Sequence, residues 1–305
     1  MELIVIGAGP AYTDRRGAAS ASYLVRAGDA ALLLDLGQGA FPNLASILEP
    51  SGLTAVVVSH LHPDHFIDLV PLRHYLHFEF DPPRRVSVLG PTGLADRLDA
   101  LHAHPGFAAT SLDAAPLEPG LQRIGPFEVE ARLVTHTDES YAFRVSVVGA
   151  GTAVGTEASS SGSLAGPGSP AGPGSLAGPG SPAGPGSLAG PGSPAGPGSP
   201  AGPGSLAGTG LVYSGDCGRA DDLVPLIRPG DTLLCEASFG AGTVPYGAEH
   251  LTAADAARAA AAGRAGRLLL THIQMGHSRA DTLAAAQSVF AGPVHLVTEG
   301  DRFEV

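Results

Sequence analysis

Four side chains able to bind a metal ion lie within six residues of each other: His60, His62, Asp64 and His65. They follow the apolar run 55–58 and precede a segment with helical periodicity, which predicts a tight turn at the end of a buried strand. Three imidazoles and a carboxylate in one turn favour a borderline divalent cation such as Zn²⁺. A histidine-rich surface loop is the alternative, but such a loop rarely follows a buried strand directly.

Three more candidate ligands stand at the ends of other apolar runs. His136 ends the run 129–135, Asp216 follows 211–215, and His272 ends 268–271. Taken alone, each histidine could be a hydrogen-bonded core residue. Because four strand ends carry metal-binding side chains, we expect them to converge on one metal centre.

The elements that must position these residues alternate along the chain, with short strand-like runs occurring in pairs before each helix-like segment. This pattern predicts an α/β (α+β) fold in which two mixed sheets pack face to face between outer helices, an αββα arrangement. Strands are expected at 2–7, 21–26, 31–35, 55–59, 86–89, 127–135, 141–148, 211–214, 232–236, 267–271 and 294–297. Helices are expected at 41–49, 64–77, 91–103, 221–227, 250–263 and 278–290.

The order of the candidate ligands resembles that of the metallo-β-lactamase fold. That order is His-x-His-x-Asp-His, then a lone histidine, a Gly-Asp pair and a final Thr-His. Asp35, in Leu-Leu-Leu-Asp-Leu-Gly, resembles the early Asp-x-Gly motif of the fold. The resemblance covers nearly the whole chain outside a central repeat, and it implies a four-layer αββα hydrolase.

Two further motifs resemble the ribonuclease Z branch, whose members are zinc phosphodiesterases. They are Glu236-Ala237-Ser238 and His250-Leu251-Thr252. The runs Leu-Val-Tyr-Ser-Gly-Asp, Leu-Cys-Glu-Ala-Ser and Leu-Leu-Leu-Thr-His-Ile also resemble atypical bacterial cyclic-nucleotide phosphodiesterases of this fold.

The resemblance implies a role for each residue. Asp216 bridges two divalent ions, which we expect to be Zn²⁺, with Mn²⁺ or Fe as alternatives. His60, His62 and His136 hold one ion, and Asp64, His65 and His272 hold the other. Asp64 also positions the hydroxide that attacks phosphorus, since paired cations lower the pKa of a bridging water. His250 donates a proton to the leaving group, and Glu236 orients it.

A repeat of the hexapeptide Ser-(Leu/Pro)-Ala-Gly-Pro-Gly occupies residues 163–210. Its composition cannot form a core, so we expect a flexible insertion at 151–210 within a discontinuous catalytic domain at 1–150 and 211–305. Ribonuclease Z enzymes that process tRNA carry a protruding arm in this interval. The repeat contains no Lys, Arg or aromatic residue with which to grip RNA.

The favoured function is therefore hydrolysis of a small or cyclic nucleotide phosphodiester, consistent with a net charge of −12 that repels phosphate backbones. Processing of the 3′ end of precursor tRNA, with RNA as partner, is the second prediction. A lactonase or β-lactamase type of hydrolysis is the third, and a non-catalytic metal-binding protein is less favoured. Whether the chain forms a homodimer, as relatives often do, stays open.

The remaining sequence features favour a cytoplasmic protein. Cys217 and Cys235 lie in apolar contexts, which does not suggest a disulfide framework. The first residues predict a β-strand rather than a secretory leader, and no apolar run is long enough to span a membrane. The Gly-Ala-Gly-Pro turn at 7–10 lacks the third glycine of a dinucleotide motif, so we expect a turn beside the metals.

Overall fold

The computed structural model describes residues 1–136, 139–149 and 209–305, so nearly all of the predicted insertion at 151–210 lies outside the described residues. Six α-helices are present in the described part: α1 Ala40–Ile47, α2 Pro63–Phe66, α3 Leu69–Phe78, α4 Leu94–His102, α5 Ala253–Gly263 and α6 Arg279–Gln287. None of these helices has the length and apolarity needed to cross a bilayer.

Fourteen strands form two sheets of seven in the described residues. The strands are β1 Glu2–Gly7, β2 Ser22–Ala27, β3 Ala30–Leu34, β4 Ala55–Val57, β5 Val86–Gly90, β6 Leu112–Pro116, β7 Gly120–Ile124, β8 Phe127–Leu133, β9 Tyr141–Val147, β10 Leu211–Tyr213, β11 Thr232–Glu236, β12 Arg267–Thr271, β13 Val294–Leu296 and β14 Arg302–Glu304. The first sheet has the order β14-β1-β2-β3-β4-β5-β6, and the second has the order β13-β12-β11-β10-β9-β8-β7.

Three separate apolar clusters define the layers of the fold. The central cluster joins the facing sides of the two sheets, with Tyr23 from the first sheet and Phe143 from the second. One outer cluster packs helices such as α3 against the first sheet, and the other packs α5 and α6 against the second. The layers are therefore helix, sheet, sheet and helix, which confirms the predicted αββα architecture.

The parallel strands of both sheets place the ligand-bearing loops at one edge of the sandwich. In the first sheet β3, β4, β5 and β6 are parallel. In the second sheet β10, β11, β12 and β13 are parallel. Chain segments leaving the carboxyl ends of such strands emerge side by side, which is where open α/β sheets commonly carry their sites.

The structure differs from the predicted elements in several places. The predicted helix at 64–77 is divided into α2 and α3. The helix predicted at 221–227 is wrong, because only a short 3₁₀ turn forms at Ala220–Asp222. Pro225 lies inside that segment and lacks the backbone N–H that a continuing helix needs. Three strands were not predicted: β6, β7 and β14. The sequence of β6, Leu-Asp-Ala-Ala-Pro, is poor in the β-branched and aromatic residues typical of strands.

Candidate metal centre

The histidine-rich turn connects β4 to α2 and aims its side chains in different directions. His60 lies on the extended chain beyond β4, while His62 is the residue just before α2 and Pro63 is the first residue of that helix. Proline suits a first helical position, since its missing N–H would have no partner there. Asp64 and His65 follow within the short helix, and both are buried. Extended chain followed at once by one helical turn thus gathers four side chains around one volume.

Asp35 fixes the centre of this turn from the end of β3. Its carboxylate accepts hydrogen bonds from the backbone N–H of Ser59 at 2.6 Å and from the Ser59 hydroxyl at 2.8 Å. It also accepts from His65 Nδ1 at 2.7 Å and from the Tyr213 hydroxyl at 2.6 Å. Asp35 has a φ of 59°, a left-handed conformation that is uncommon outside glycine and often marks functional sites. Because Nδ1 of His65 is held by Asp35, Nε2 is left to face the site.

Two glycines allow the close approaches that this centre requires. A Cβ at Gly37 would lie 1.9 Å from the Asp64 carbonyl oxygen, so the loop after Asp35 can approach α2 only as glycine. Gly215 has a φ of 56°, and a Cβ there would lie 2.7 Å from the Tyr141 carbonyl oxygen. These tight contacts hold the turn and Asp216 against each other.

Asp216 lies between two sets of ligands. Its Oδ2 is 3.7 Å from His60 Nε2 and 3.9 Å from His136 Nε2. Its Oδ1 is 3.4 Å from His65 Nε2 and 3.6 Å from His272 Nε2. We call His60, His62 and His136 the open cluster, and Asp64, His65 and His272 the buried cluster. One carboxylate oxygen therefore faces each cluster, as a bridging ligand requires.

The distances fit a metal better than hydrogen bonds. Most exceed the roughly 3.2 Å limit of a good N–H···O bond. A tetrahedral Zn²⁺ with ligands at about 2.1 Å separates those ligand atoms by about 3.4 Å. In addition, His60 Nε2, His65 Nε2 and Asp216 Oδ1 are buried with no hydrogen-bond partner among the described residues. Such atoms cost free energy unless something satisfies them, and a cation would satisfy all three.

The histidines of the open cluster converge from three directions. His136 Nδ1 donates to the Glu249 carbonyl oxygen at 2.8 Å, which turns Nε2 towards His62 Nδ1 at 3.3 Å. Two imidazole nitrogens at this distance can both coordinate one cation through their lone pairs. His62 is only half-buried, whereas His60 and His136 are buried. The open cluster is thus the side of the centre that solvent can reach.

The buried cluster is completed by His272 at the end of β12. Its Nε2 is 3.2 Å from Asp64 Oδ2, and His65 Nε2 is 3.7 Å from the same oxygen. Nδ1 of His272 is 3.0 Å from the Ser238 hydroxyl, which fixes the orientation of the ring. His272 also has a left-handed φ, of 59°. Asp35 and His272 thus share this uncommon backbone conformation, and both place a side chain at the buried cluster.

Glu236 and His250 form a third group beside the two clusters. His250 Nδ1 is 3.0 Å from Glu236 Oε1, which also accepts the Cys217 backbone N–H at 3.1 Å. The other carboxylate oxygen accepts from Ser238, at 3.0 Å from its N–H and 2.7 Å from its hydroxyl. Glu236, His250 and His272 can also be grouped as metal ligands. The existing hydrogen bonds favour an orienting carboxylate and leave Nε2 of His250 available to exchange a proton.

The charges in this centre shift several pKa values. Burial raises the pKa of Asp216, but His272 and His65 outweigh burial and hold that pKa well below its usual range. Burial and the nearby His65 charge lower the pKa of His60, which keeps its lone pair free. Burial also lowers the pKa of His250, but the hydrogen bond and charge of Glu236 raise it overall to about 9. These shifts favour an ionised Asp216 carboxylate, a neutral His60 imidazole and a protonated His250 imidazole.

A cavity of about 390 Å³ opens beside the open cluster. Its lining includes His60 and His62, Thr92 and Arg97 from the segment after β5, and Glu139. The Glu139 carboxylate accepts the Thr92 backbone N–H at 3.0 Å. Arg97 is exposed and donates to the Leu61 carbonyl oxygen at 3.3 Å. This volume is within the range of small-molecule sites, at roughly 300–1,000 Å³.

All seven predicted ligands and the pair of Glu236 and His250 therefore lie in one region, as the sequence predicted. The roles of Ser59, Ser238 and Tyr213 in orienting that region were not predicted. Ser59 and Ser238 lie beside predicted site residues in the sequence, so their roles could have been predicted from that position. Nothing in the sequence indicates that Tyr213 would reach Asp35, 178 positions away. Cys217, predicted to lie in an apolar context, packs in the apolar cluster under the second sheet, and burial raises its thiol pKa to about 12.

Comparison with known proteins places the chain in a family. The family model of the anti-Pycsar protein Apyc1 matches residues 1–118. An uncharacterized protein of Mycobacterium leprae is 30% identical, with 94% of this chain and 82% of that protein covered. A ribonuclease Z of Salinispora arenicola is 30% identical over 98% of this chain and 94% of the enzyme. The chain belongs to the metallo-β-lactamase fold hydrolases, in the branch that contains ribonuclease Z.

A solved structure of this family shares the fold of this chain. The metallo-β-lactamase fold protein YhfI of Bacillus subtilis superimposes with a TM-score of 0.73 at 21% identity. The alignment covers 100% of this chain and 99% of the YhfI chain. As a member of the family shown by its ribonuclease Z relative, the chain is a metal-dependent hydrolase, as the motifs predicted. Its two clusters of histidines and aspartates are suited to divalent metal ions.

Proposed function

We propose that this hydrolase is a dinuclear phosphodiesterase acting on a small or cyclic nucleotide phosphodiester. The observation that carries the proposal is the division of Asp216, with one oxygen facing each cluster at 3.4 to 3.9 Å from the nearest imidazole nitrogens. His60, His62 and His136 would hold one ion and Asp64, His65 and His272 the other. Bound divalent ions, with Zn²⁺ favoured and Mn²⁺ or Fe as alternatives, would supply positive charge for the phosphate and lower the pKa of a water molecule.

The protein residues have separable roles in this reaction. Asp64 Oδ2, close to His65 and His272, is placed to orient the attacking water and accept its proton. His250 lies between the clusters, with ring centroids 4.9 Å from His136 and 6.0 Å from His272. From there Nε2 can protonate the departing alkoxide, which is a poor leaving group without a proton. Glu236 fixes that ring through its bond to Nδ1.

A small substrate is favoured by the cavity and by the charge of the chain. The cavity beside the open cluster is about 390 Å³, which suits a nucleotide. The net charge is −12, and residues 163–210 contain no cationic or aromatic side chain to hold an RNA. The match of residues 1–118 to the Apyc1 family fits a cyclic-nucleotide phosphodiesterase.

Precursor tRNA is the second candidate substrate, because the Salinispora relative is a ribonuclease Z that aligns over 98% of this chain. One metal-loaded preparation should be tested side by side on cyclic AMP, a precursor tRNA and a simple lactone. Faster turnover of the cyclic nucleotide supports the proposal. Preference for tRNA would assign the second candidate function, and preference for the lactone would contradict phosphodiester hydrolysis altogether.

A further inference from the structure

Another cavity, of about 370 Å³, borders the chain just after the candidate ligand His272. Its lining comes from the loop after β1, including Asp14 and Arg15, and from the segment between β12 and α6, including His277 and Arg279. Ile273, which directly follows the candidate ligand His272, also lines it. One wall of the cavity is therefore formed by the residue next to a member of the buried cluster.

The backbone around this cavity is coupled to the catalytic groups. The Gln274 N–H donates to the Ser238 carbonyl oxygen at 3.1 Å, while the Ser238 hydroxyl contacts His272 Nδ1 at 3.0 Å. Phe239 lies between the two regions, with ring centroids 6.1 Å from His250 and 6.3 Å from His277. A substrate whose diester sits at the metal centre could therefore extend past Phe239 into the cavity.

Two guanidinium groups are the dominant charges of the lining. Neither Arg15 nor Arg279 forms an ion pair with a carboxylate in the described part of the chain, although the protein as a whole is strongly acidic. Both groups line the same cavity; burial and the charge of Arg15 lower the pKa of Arg279, while the charges of Glu299 and Asp301 raise it in part. Asp14 is the one acid among the described lining residues, and it is exposed.

Hydrogen bonds hold the two arginine side chains in place, but no ion pair with a described residue neutralises them. Arg279 Nη2 donates to the Leu296 carbonyl oxygen at 3.2 Å, and Arg15 Nε donates to the Thr13 hydroxyl at 3.4 Å. The carboxylates nearest to Arg279 are engaged elsewhere. Asp301 accepts from Thr298, and Glu299 accepts the backbone N–H groups of the loop after β1. Neither carboxylate forms an ion pair with Arg279 at contact distance, so two like charges line a cavity that an anion would stabilise.

We infer that this cavity binds a phosphate monoester carried by the substrate, in addition to the diester that is cleaved. The inference rests on the proposed function and narrows it to nucleotides with a second, terminal phosphate. A guanidinium pair suits such a group, because each Arg can donate two parallel hydrogen bonds to phosphate oxygens. The metal centre would hold the diester, and Arg15 and Arg279 would fix the other end of the molecule.

Calorimetric titration of the zinc-loaded protein with adenosine 3′,5′-bisphosphate and with adenosine 5′-monophosphate tests the inference directly. We expect the bisphosphate to bind at least about tenfold more tightly. Arg15→Gln and Arg279→Gln should each remove most of that advantage while leaving the affinity for the monophosphate nearly unchanged. The matched control is Arg123→Gln on β7, which removes the same charge from an exposed side chain outside both cavities.

Kinetics separate this inference from the proposed function. With p-nitrophenyl esters of thymidine 5′-phosphate that carry or lack a 3′-phosphate, the arginine variants should raise KM for the phosphorylated ester alone, with kcat unchanged. Equal affinities for the two adenosine nucleotides in the wild type would overturn the inference, as would equal losses in all three variants. A free-phosphate site would also overturn it, and would appear as phosphate binding with no advantage for the bisphosphate. Absence of turnover on every diester, with the bisphosphate advantage intact, would overturn the proposed function only.

Discussion

The open and buried clusters share Asp216 but differ in how the protein supports them. In the buried cluster, His65 is held by the Asp35 carboxylate and His272 by the Ser238 hydroxyl, and all three candidate ligands are buried. In the open cluster, His62 is half-buried and borders the substrate-sized cavity. Hydrogen-bonded carboxylates behind a ligand raise its basicity and fix its orientation. We therefore expect the buried cluster to retain its ion and the open cluster to exchange its ion and admit substrate.

The largest expected effect comes from removing Asp216, the residue that the two clusters share. Asp216→Ala should lose metal from both clusters, because each cluster loses one of its ligands. Turnover of a diester should fall by at least about 10⁴-fold, the scale of a removed essential group. Metal content by mass spectrometry and the diesterase rate check this result. Asp113→Ala, at an exposed site, is the control, and full metal occupancy in Asp216→Ala would refute the bridging role.

His250→Ala tests whether the third group belongs to either cluster. It should keep both ions and lower kcat by about 10²–10⁴-fold for a substrate with an alkoxide leaving group, as for a lost general acid. The loss should be far smaller for a p-nitrophenyl ester, whose leaving group needs no proton. If the variant proved to be depleted in metal, His250 would be a ligand rather than a proton donor.

Asp35→Asn tests whether the Asp35 carboxylate stabilises metal binding at the buried cluster alone. The replacement keeps the shape of the side chain but removes the charge that faces His65 Nδ1, so metal affinity at the buried cluster should fall about 10–100-fold. Titration with a chelator should then release two ions from the variant with similar affinity. In the wild type, one ion should leave before the other. Asp29→Asn, at an exposed turn, is the control, and thermal melting distinguishes metal loss from unfolding.

The smallest effect is expected from replacing residues 150–208 with a short turn. β9 and β10 are antiparallel neighbours, with Val145 opposite Leu211, so the two ends of the excised segment emerge side by side. The buried ion pair of Arg144 with Asp231 and the bond from the Gly210 N–H to Asp231 secure this junction. Diesterase activity on cyclic AMP should stay within about twofold. A large loss on cyclic AMP would assign the segment a role in that reaction.

Most of the site could be predicted because its residues follow strand ends and because their types suit one chemistry. His136, Asp216 and His272 are far apart in sequence, yet each ends an apolar run, so the layered fold must bring them to one edge. The partners that orient them were harder to predict. Tyr213 reaches Asp35 across the two sheets, and the left-handed backbone of Asp35 and His272 has no sequence signal.

The layers and most single elements of the fold were predicted, and the exceptions have physical reasons. β14 is three residues long and pairs with β1 from the other end of the chain. Such a strand depends on a long-range partner rather than on local propensity. The segment after Arg219 has helical composition at its start, but Pro225 prevents a helix, so composition alone was misleading there.

Anomalous diffraction from crystals of the zinc-loaded protein tests the central claim most directly. Two peaks about 3.5–4 Å apart, one on each side of the Asp216 carboxylate, are the predicted result. The peak in the buried cluster should have the higher occupancy after brief exposure to a chelator. A single peak, or two peaks that do not share Asp216 as a ligand, would contradict the account.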